Sequence, residues 1–171
     1  MSNRVSECRN YLSKGRVSGV PFFFIWCPAQ GVLIGRILAV DYGRTRLGLA
    51  LSDVLGLVAK GLPTLDSIGL KAAIAAVTEC AKAQGVCEVL VGLPLNMDGT
   101  SGVMAEAAST FADGVAQASG IAVTMWDERL TSVSAKRVAR ETGKRVRGDK
   151  GYVDRIAAVL LLENYLQAQA N

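Results

Sequence analysis

The sequence predicts an open α/β fold, because short buried strands alternate along it with longer segments of helical spacing. Residues 37–40, 86–93 and 121–126 are mostly apolar runs of strand length. The segments between the later runs place apolar residues on one helical face. Half of the 171 residues are hydrophobic and a fifth are charged, which is typical of one globular domain rather than a disordered chain.

The first predicted strand, residues 37–40, ends on Asp41, and Gly43 then permits a tight turn. The next apolar run, residues 47–51, returns after that turn, so the two strands predict a β-hairpin. A third strand is expected to run from residue 57 and to stop at Pro63. Asp41 is well placed to hold a metal ion beside a phosphate, although the alternative is that it only forms the turn.

One helix is predicted before the strand at residues 86–93 and another after it. The first spans residues 70–84, and Gly85 follows where a left-handed cap is needed. The second spans residues 101–118, and Gly120 ends it. Each has one apolar face; the first face holds Leu70, Ile74, Val77 and Ala81, and the second holds Met104, Ala108, Phe111 and Val115.

Two further helices are predicted in the last third of the chain. One begins at Thr131 or Ser132, carries basic residues and stops near Gly143. Residues 144–151 follow as a loop, which neighbouring glycines are expected to make mobile. The last helix spans residues 153–167 and is apolar nearly all round, so it is expected to be largely buried.

Residues 1–35 are predicted to be an extension outside the fold, disordered or loosely packed, and residues 36–171 to be the single folded domain. Four basic residues in the extension precede an apolar patch at residues 20–27. That order resembles a signal peptide, but Pro28 and Gln30 interrupt it and no small-x-small cleavage site follows. The patch is also too short to span a bilayer, so a membrane role is disfavoured.

The chain has four cysteines and no histidine. None of the cysteines belongs to a CxxC pair, which argues against a zinc-thiolate site and favours free thiols in a reducing cytoplasm. The lack of histidine excludes Ser-His-Asp and Cys-His nucleophilic sites. A hydrolase of this composition therefore needs carboxylates, which most simply obtain a nucleophile from water by holding Mg²⁺ or Mn²⁺.

Positive charge is concentrated in one segment, although the whole chain carries a formal net charge of only +4. Residues 136–155 contain eight basic and three acidic residues, while the rest of the predicted domain is net negative. A basic segment on an acidic domain indicates a polyanionic partner such as nucleic acid. The alternative is a solvent-exposed helix face without a partner.

Acidic residues mark the ends of three predicted elements. Asp41 follows the first strand, Asp127 and Glu128 follow the fifth, and Asp154 opens the last helix. The ends of parallel strands meet at one edge of an open sheet, so these residues are expected to converge. Each has a structural alternative: Asp154 in a first helical turn favours the macrodipole, and Glu128 could pair with Arg129. A cluster of acids repels itself without a cation, which favours a metal site.

Four sequence blocks together resemble the YqgF/RuvX family of RNase H-like proteins, over residues 36–166. The blocks are DYGRTRLG at 41–48, VGLPLNMDG at 91–99, WDERLT at 126–131 and VDRIAA at 153–158, of which the second and third are the most specific. The resemblance implies an RNase H-like α/β fold, a mixed five-stranded sheet whose first three strands are antiparallel, with helices on both faces. It also implies a metal-dependent nuclease for the 5′ end of precursor 16S rRNA, or a Holliday junction resolvase.

With this resemblance, Asp41, Glu128 and Asp154 are expected to be catalytic and to bind one or two Mg²⁺ or Mn²⁺ ions, with Asp127 in support. Substrate contacts are expected from Gly43, Arg44, Thr45, Arg46, Asn96, Asp98, Arg129, Lys144, Arg145, Arg147 and Lys150. The expected partners are precursor rRNA or branched DNA and ribosomal particles, without a membrane. The protein is expected to be cytoplasmic and to be a monomer or a homodimer.

Two other classes of protein match part of the pattern. The Asp-x-Gly-x-Thr spacing also resembles the phosphate loop of the actin and sugar-kinase group, but those enzymes need a second domain and a second phosphate loop, for which 171 residues leave no room. A non-catalytic RNA- or junction-binding module is the other alternative, and the presence of all three acids argues against it. The chain departs from the family at Ser134, where glutamate is common, but no metal ligand is expected there.

Overall fold

The computed structural model describes residues 25–27, 32–66, 69–94, 102–127 and 150–170. Seven strands and three helices occur in these ranges. In chain order they are β1 (Ile25–Cys27), β2 (Val32–Ile34), β3 (Arg36–Tyr42), β4 (Arg46–Ser52), β5 (Ala59–Asp66), α1 (Leu70–Gln84), β6 (Val86–Leu93), α2 (Val103–Ser119), β7 (Ala122–Asp127) and α3 (Lys150–Gln169).

Five of the strands form one mixed sheet in the order β5-β4-β3-β6-β7. The first three strands in the chain order of this sheet are antiparallel neighbours, and β6 and β7 are parallel to β3. The predicted mixed five-stranded α/β sheet is thereby confirmed. Because β3 and β7 run in the same direction, the residues that end them lie at the same edge of the sheet.

The alternation of side chains along β3 divides the core into two layers. Leu38 and Val40 face α1 and α2, where Phe111 is fully buried. Ile37 and Ala39 face the other side, where α3 covers the sheet. The predicted helices on both faces are confirmed, and Asp41 follows Ala39 on the side of α3.

The helix α1 has the predicted bounds, and Gly85 ends it in the left-handed conformation with φ 63°. The predicted apolar face is displaced by part of a turn, because Ala73 is buried together with Val77 and Ala81 while Leu70 is 39% exposed. The helix α2 starts two residues later than expected, and Gly120 also ends it with φ 71°. Both glycine caps are therefore confirmed.

The helix α3 begins at Lys150 rather than at the predicted residue 153. Lys150 and Gly151 therefore belong to the helix and not to the predicted loop. Asp154 consequently lies in the second turn of the helix instead of the first. The effect of the helix macrodipole has largely decayed by the second turn. The helix is not buried all round: Ala158, Leu161, Leu162 and Tyr165 form the buried stripe, and most of the other apolar residues are half-buried. The predicted helix after Thr131 lies outside the described residues.

The strand β5 continues past Pro63, where the sequence predicted its end, and reaches Asp66. Two physical reasons allow this. The strand lies at the edge of the sheet, and a register shift places Pro63 and Thr64 together opposite Gly48. A proline without an N–H is tolerated in an edge strand and at a bulge of this kind.

The short strands β1 and β2 lie within the predicted N-terminal extension and, among the strands that the structure describes, pair with each other. They form a two-stranded antiparallel sheet that is separate from the five-stranded one. The boundary between extension and domain near Arg36 stays a prediction. Within the parts of the chain that the structure describes, no helix is long and apolar enough to cross a membrane.

Candidate active site

Asp41 is the first residue of the site, and it lies near the end of the central strand β3. Its cross-strand partner in β4 is Gly48. Burial of the carboxyl group and the nearby negative charge of Asp154 raise the pKa of Asp41 from 3.8 to about 6. A carboxylate with this pKa is costly to ionise in the absence of a cation.

The helix α3 brings Asp154 to Asp41 by packing its backbone directly on β4. A Cβ atom at Gly48 would overlap the main-chain carbonyl of Asp154, so only glycine allows this approach. The preceding turn of the helix is held by Thr64, whose Oγ1 donates a hydrogen bond to the carbonyl oxygen of Gly151 at 2.7 Å. The site therefore depends on the close packing of α3 across β4 and β5.

A salt bridge connects the hairpin to the helix within the site. The Nε of Arg46 donates to Oδ2 of Asp154 at 2.6 Å, and the two side chains are 31% and 26% exposed. Arg46 opens β4 and lies on the face that α3 covers, as do Gly48 and Ala50. One oxygen of the predicted metal ligand Asp154 is thus engaged by an arginine.

The turn between β3 and β4 contains three of the predicted phosphate contacts. The amide of Gly43 donates to the carbonyl oxygen of Arg46 at 3.1 Å, so this amide is used inside the turn. Arg44 and Thr45 are exposed, and the Nε of Arg44 lies 3.3 Å from the Sδ of Met104 in α2. Arg44 and Thr45 are therefore exposed in the turn that closely follows Asp41 in the chain, and the side chain of Arg44 reaches toward α2.

Asp127 ends β7 at the same edge of the sheet as Asp41, but β6 separates the two strands. Its neighbour Trp126 packs edge-on against Tyr165 of α3, with ring centroids 5.0 Å apart. Because side chains alternate along a strand, Asp127 belongs to the opposite face, together with Met125. The structure thus does not group Asp127 with Asp41 and Asp154, and its supporting role stays a prediction.

Several predicted site residues lie outside the described part of the chain. They are Asn96, Asp98, Glu128, Arg129, Lys144, Arg145 and Arg147, and their roles stay predictions. Lys150 is described as the first residue of α3. In the ranges that the structure describes, no group of three or more His, Cys, Asp or Glu residues could hold a metal ion. The described half of the site is the pair of Asp41 and Asp154.

Sequence reasoning assigned no role to Gly48 or to the residues that hold α3 on the sheet. Gly48 stands inside the first motif block, but a glycine offers no chemistry that could distinguish it. The hydroxyl groups of Tyr165 and Thr124 both donate to Oε1 of the buried Glu88, at 2.7 and 2.6 Å. Burial, followed by the bond to Glu88, raises the pKa of Tyr165 to about 12. This network holds the second half of α3 on the sheet, while the absence of a side chain at Gly48 lets the first half pack closely.

The sequence matches the model of a known family. A model of the RuvX family, described as Holliday junction resolvase, matches residues 35–168. A protein of Myxococcus xanthus is 41% identical over 133 residues, which are 78% of this chain and 88% of the relative. A protein of Moorella thermoacetica is 42% identical over 131 residues, 77% of this chain and 94% of the relative. Both relatives are named as candidate pre-16S rRNA nucleases.

Comparison of the fold with solved structures gives the RuvC protein of Thermus thermophilus. The TM-score is 0.52 at 17% sequence identity, and the match covers 78% of this chain and 96% of RuvC. A second structure of T. thermophilus RuvC, in complex with a Holliday junction substrate, has a TM-score of 0.51 at 18% identity. At this identity the likeness concerns the fold, which is the RNase H-like fold of the sequence prediction.

Proposed function

We propose that this chain, which belongs to the RuvX family, hydrolyses phosphodiester bonds as a nuclease with the help of a divalent cation. The single observation that carries this proposal is the pair of carboxylates from Asp41 and Asp154. They come from a strand end and a helix that are far apart in sequence. Burial and the charge of Asp154 disfavour the ionisation of Asp41, and a bound cation would favour it.

The donor set fits Mg²⁺ or Mn²⁺ better than a softer metal. Both described ligands are carboxylates, which suit hard cations, and the chain contains no histidine. We assign Asp41, Glu128 and Asp154 as the ligands of one or two ions, with Asp127 as a supporting residue. When held by these residues, Mg²⁺ would supply a water molecule of lowered pKa and would stabilise negative charge on the leaving oxygen.

The residues of the chain then orient the scissile phosphate against that site. Arg44 and Thr45 are exposed on the turn beside Asp41, where an arginine can make two parallel hydrogen bonds to phosphate oxygens. We assign the same positioning role to Arg46 and Arg129, while Asn96 and Asp98 would line the cleft beside them. The charges of Lys144, Arg145, Arg147 and Lys150 would hold flanking phosphates, which gives affinity without sequence readout.

For the substrate, we propose the 5′ end of precursor 16S rRNA, in the cytoplasm and in contact with ribosomal particles. The name carried by the relatives at about 40% identity supports this choice. Branched DNA is the second candidate, because the family model that matches the chain is described as Holliday junction resolvase. Both substrates are polyanions, so the basic segment at 136–155 serves either one.

The test is a cleavage assay with two substrates. The purified 171-residue protein is incubated with precursor rRNA and with a four-way DNA junction, each with Mg²⁺ and with EDTA. We expect Mg²⁺-dependent cleavage of the RNA, and no cleavage by Asp41→Asn, which keeps the shape of the side chain but removes its charge. Cleavage of the junction alone would favour the second candidate. Binding of either substrate without cleavage would identify a non-catalytic nucleic-acid-binding module.

A further inference from the structure

Arg46 lies between two carboxylates that have different positions in the fold. On one side it donates to Asp154 at 2.6 Å. On the other side it pairs across the strands with Asp66, the last residue of β5. The hydrogen bond and the charge of Asp154 raise the pKa of Arg46, partial burial lowers it, and the charge of Asp66 raises it further.

The first of these contacts conflicts with metal binding. Asp154 is a proposed ligand, and an arginine that donates to Oδ2 at this distance competes with a cation for the same oxygen. The competition is electrostatic as well, because the guanidinium already neutralises one of the two acids. A cation that binds to Asp41 and Asp154 therefore has to displace Arg46 or accept a fixed positive charge beside it.

The cross-strand neighbour Asp66 offers the arginine an alternative partner. Directly paired residues of antiparallel strands have Cβ atoms about 5 Å apart and project to the same face of the sheet. Asp66 is exposed and thus costs little to approach. A rotation of the Arg46 side chain along the sheet surface would exchange the carboxylate of Asp154 for that of Asp66 without any movement of the backbone.

We propose that Arg46 is a positioning residue that serves as the internal counter-ion of Asp154 in the metal-free protein and transfers to Asp66 when a divalent cation binds. This inference rests on the proposed function only in assuming that Asp154 is a ligand. It imposes an order on the site, because the guanidinium of Arg46 leaves the carboxylate only after the cation has arrived.

The test measures the affinity of the protein for Mn²⁺ and for Mg²⁺ alone, by calorimetry and without nucleic acid. Arg46→Gln is expected to bind either ion roughly threefold to tenfold more tightly than the unaltered protein, because the competing salt bridge is removed. Arg44→Gln is the matched control, since it removes the same charge two residues earlier in the chain, from a side chain whose described contact is the Sδ of Met104 rather than an acid. It is expected to change the affinity less than twofold.

Asp66→Asn distinguishes partner exchange from a simple change of charge. If Arg46 needs Asp66 as its second partner, Asp66→Asn weakens metal binding by roughly threefold in the unaltered protein and has no effect in the Arg46→Gln background. If only long-range charge matters, Asp66→Asn weakens binding equally in both backgrounds. Equal effects, or an affinity of Arg46→Gln that matches that of the unaltered protein, would overturn the proposal.

Two measurements keep this result separate from failures of folding and of the proposed function. Arg46→Lys keeps the positive charge, so its metal affinity is expected to lie nearer to that of the unaltered protein, and a thermal melt of each variant verifies that it is folded. Loss of metal binding in Asp41→Asn tests the site itself. If Asp41→Asn binds metal normally, the proposed site is wrong; if only the cycle of Arg46 and Asp66 fails, the exchange alone is wrong.

Discussion

Gly48 lies directly against the main-chain carbonyl of Asp154, at the position that pairs across the strands with Asp41. A residue without a side chain thus decides how closely the helix α3 approaches the end of the central strand. The two acids of the candidate site meet because nothing separates the helix backbone from the sheet at this point. The relationship makes a glycine part of the site without giving it any chemical role.

The first prediction concerns this contact. Gly48→Ala is expected to destabilise the fold by about 1–3 kcal/mol, because its Cβ would overlap the carbonyl of Asp154 and move α3 outward. The displacement should also weaken metal binding, since Asp154 moves away from Asp41. Urea unfolding and a Mn²⁺ titration measure the two effects.

Gly61→Ala is the matched control for Gly48→Ala. Gly61 lies in the neighbouring strand under the same helix, but the atoms that its Cβ would meet belong to the flexible side chain of Arg155 and to Val159. These side chains can move aside, so metal affinity should change little. If Gly48→Ala binds Mn²⁺ as tightly as Gly61→Ala does, close packing of α3 is not required for the site.

The second prediction follows from the raised pKa of Asp41. Because the pKa rises from 3.8 to about 6, the folded protein binds this proton more tightly than the unfolded chain does. The contribution of Asp41 to stability is therefore present at low pH and is lost as the pH increases through about 6, by up to about 3 kcal/mol. Asp41→Asn should remove this dependence, so it should be more stable than the unaltered protein at pH 7.5 in EDTA.

Asp53→Asn provides the control for the pH series. Burial acts to raise the pKa of Asp53, but hydrogen bonds from the amides of Val58, Leu57 and Leu55 outweigh it and lower the pKa. This group therefore titrates below the window in which Asp41 titrates, and its removal should leave the stability difference between pH 4.5 and pH 7.5 in place. If Asp41→Asn shows the same stability difference between pH 4.5 and pH 7.5 as the unaltered protein, another group causes that difference.

The third prediction concerns the N-terminal extension. Deletion of residues 1–35 is expected to leave the melting temperature and the cleavage rate almost unchanged, because the five-stranded sheet begins at Arg36. In the described part of the chain, the strands β1 and β2 pair with each other and not with that sheet, so the loss of these strands breaks no ladder of it. A large decrease in melting temperature would place the boundary of the domain nearer to the N-terminus.

The fourth prediction concerns the basic segment. Replacing Arg145, Arg147 and Lys150 with Ala should weaken nucleic-acid binding much more than it slows cleavage of bound substrate. Each phosphate contact that is lost should also reduce the salt dependence by roughly one unit of log–log slope. Binding measured over a series of salt concentrations gives this slope, and an unchanged slope would mean that these side chains only solubilise a surface.

Local patterns predicted most of the elements, because their causes are local. The apolar run of β6 and the glycine cap of α1 were assigned to the correct residues, since strand length and left-handed caps depend on neighbours in sequence. The end of β5 at Pro63 was wrong for a non-local reason. Whether a proline is tolerated depends on the strand being an edge strand, which is a property of the assembled sheet.

The site was predictable only in part, for the same reason. Asp41 and Asp154 were identified from the strand end and from the motif, and the effect of Asp154 on the pKa of Asp41 shows that they are close. The contacts that bring them together could not be read from spacing. Gly48 meets a carbonyl 106 positions later in the chain, and Arg46 pairs with a carboxylate 108 positions away.

That separation in sequence also determines when Asp41 and Asp154 can come together during synthesis of the chain. The hairpin of β3 and β4 can form as soon as both strands have been made, but α3 is made after every strand of the sheet. Until α3 docks, the apolar residues Ile37, Ala39 and Ala50 lack the cover that α3 provides on their side of the sheet. A nascent chain that ends before α3 carries Asp41 without Asp154, so a partly made copy of this protein lacks one of the two carboxylates on which the proposed metal site depends.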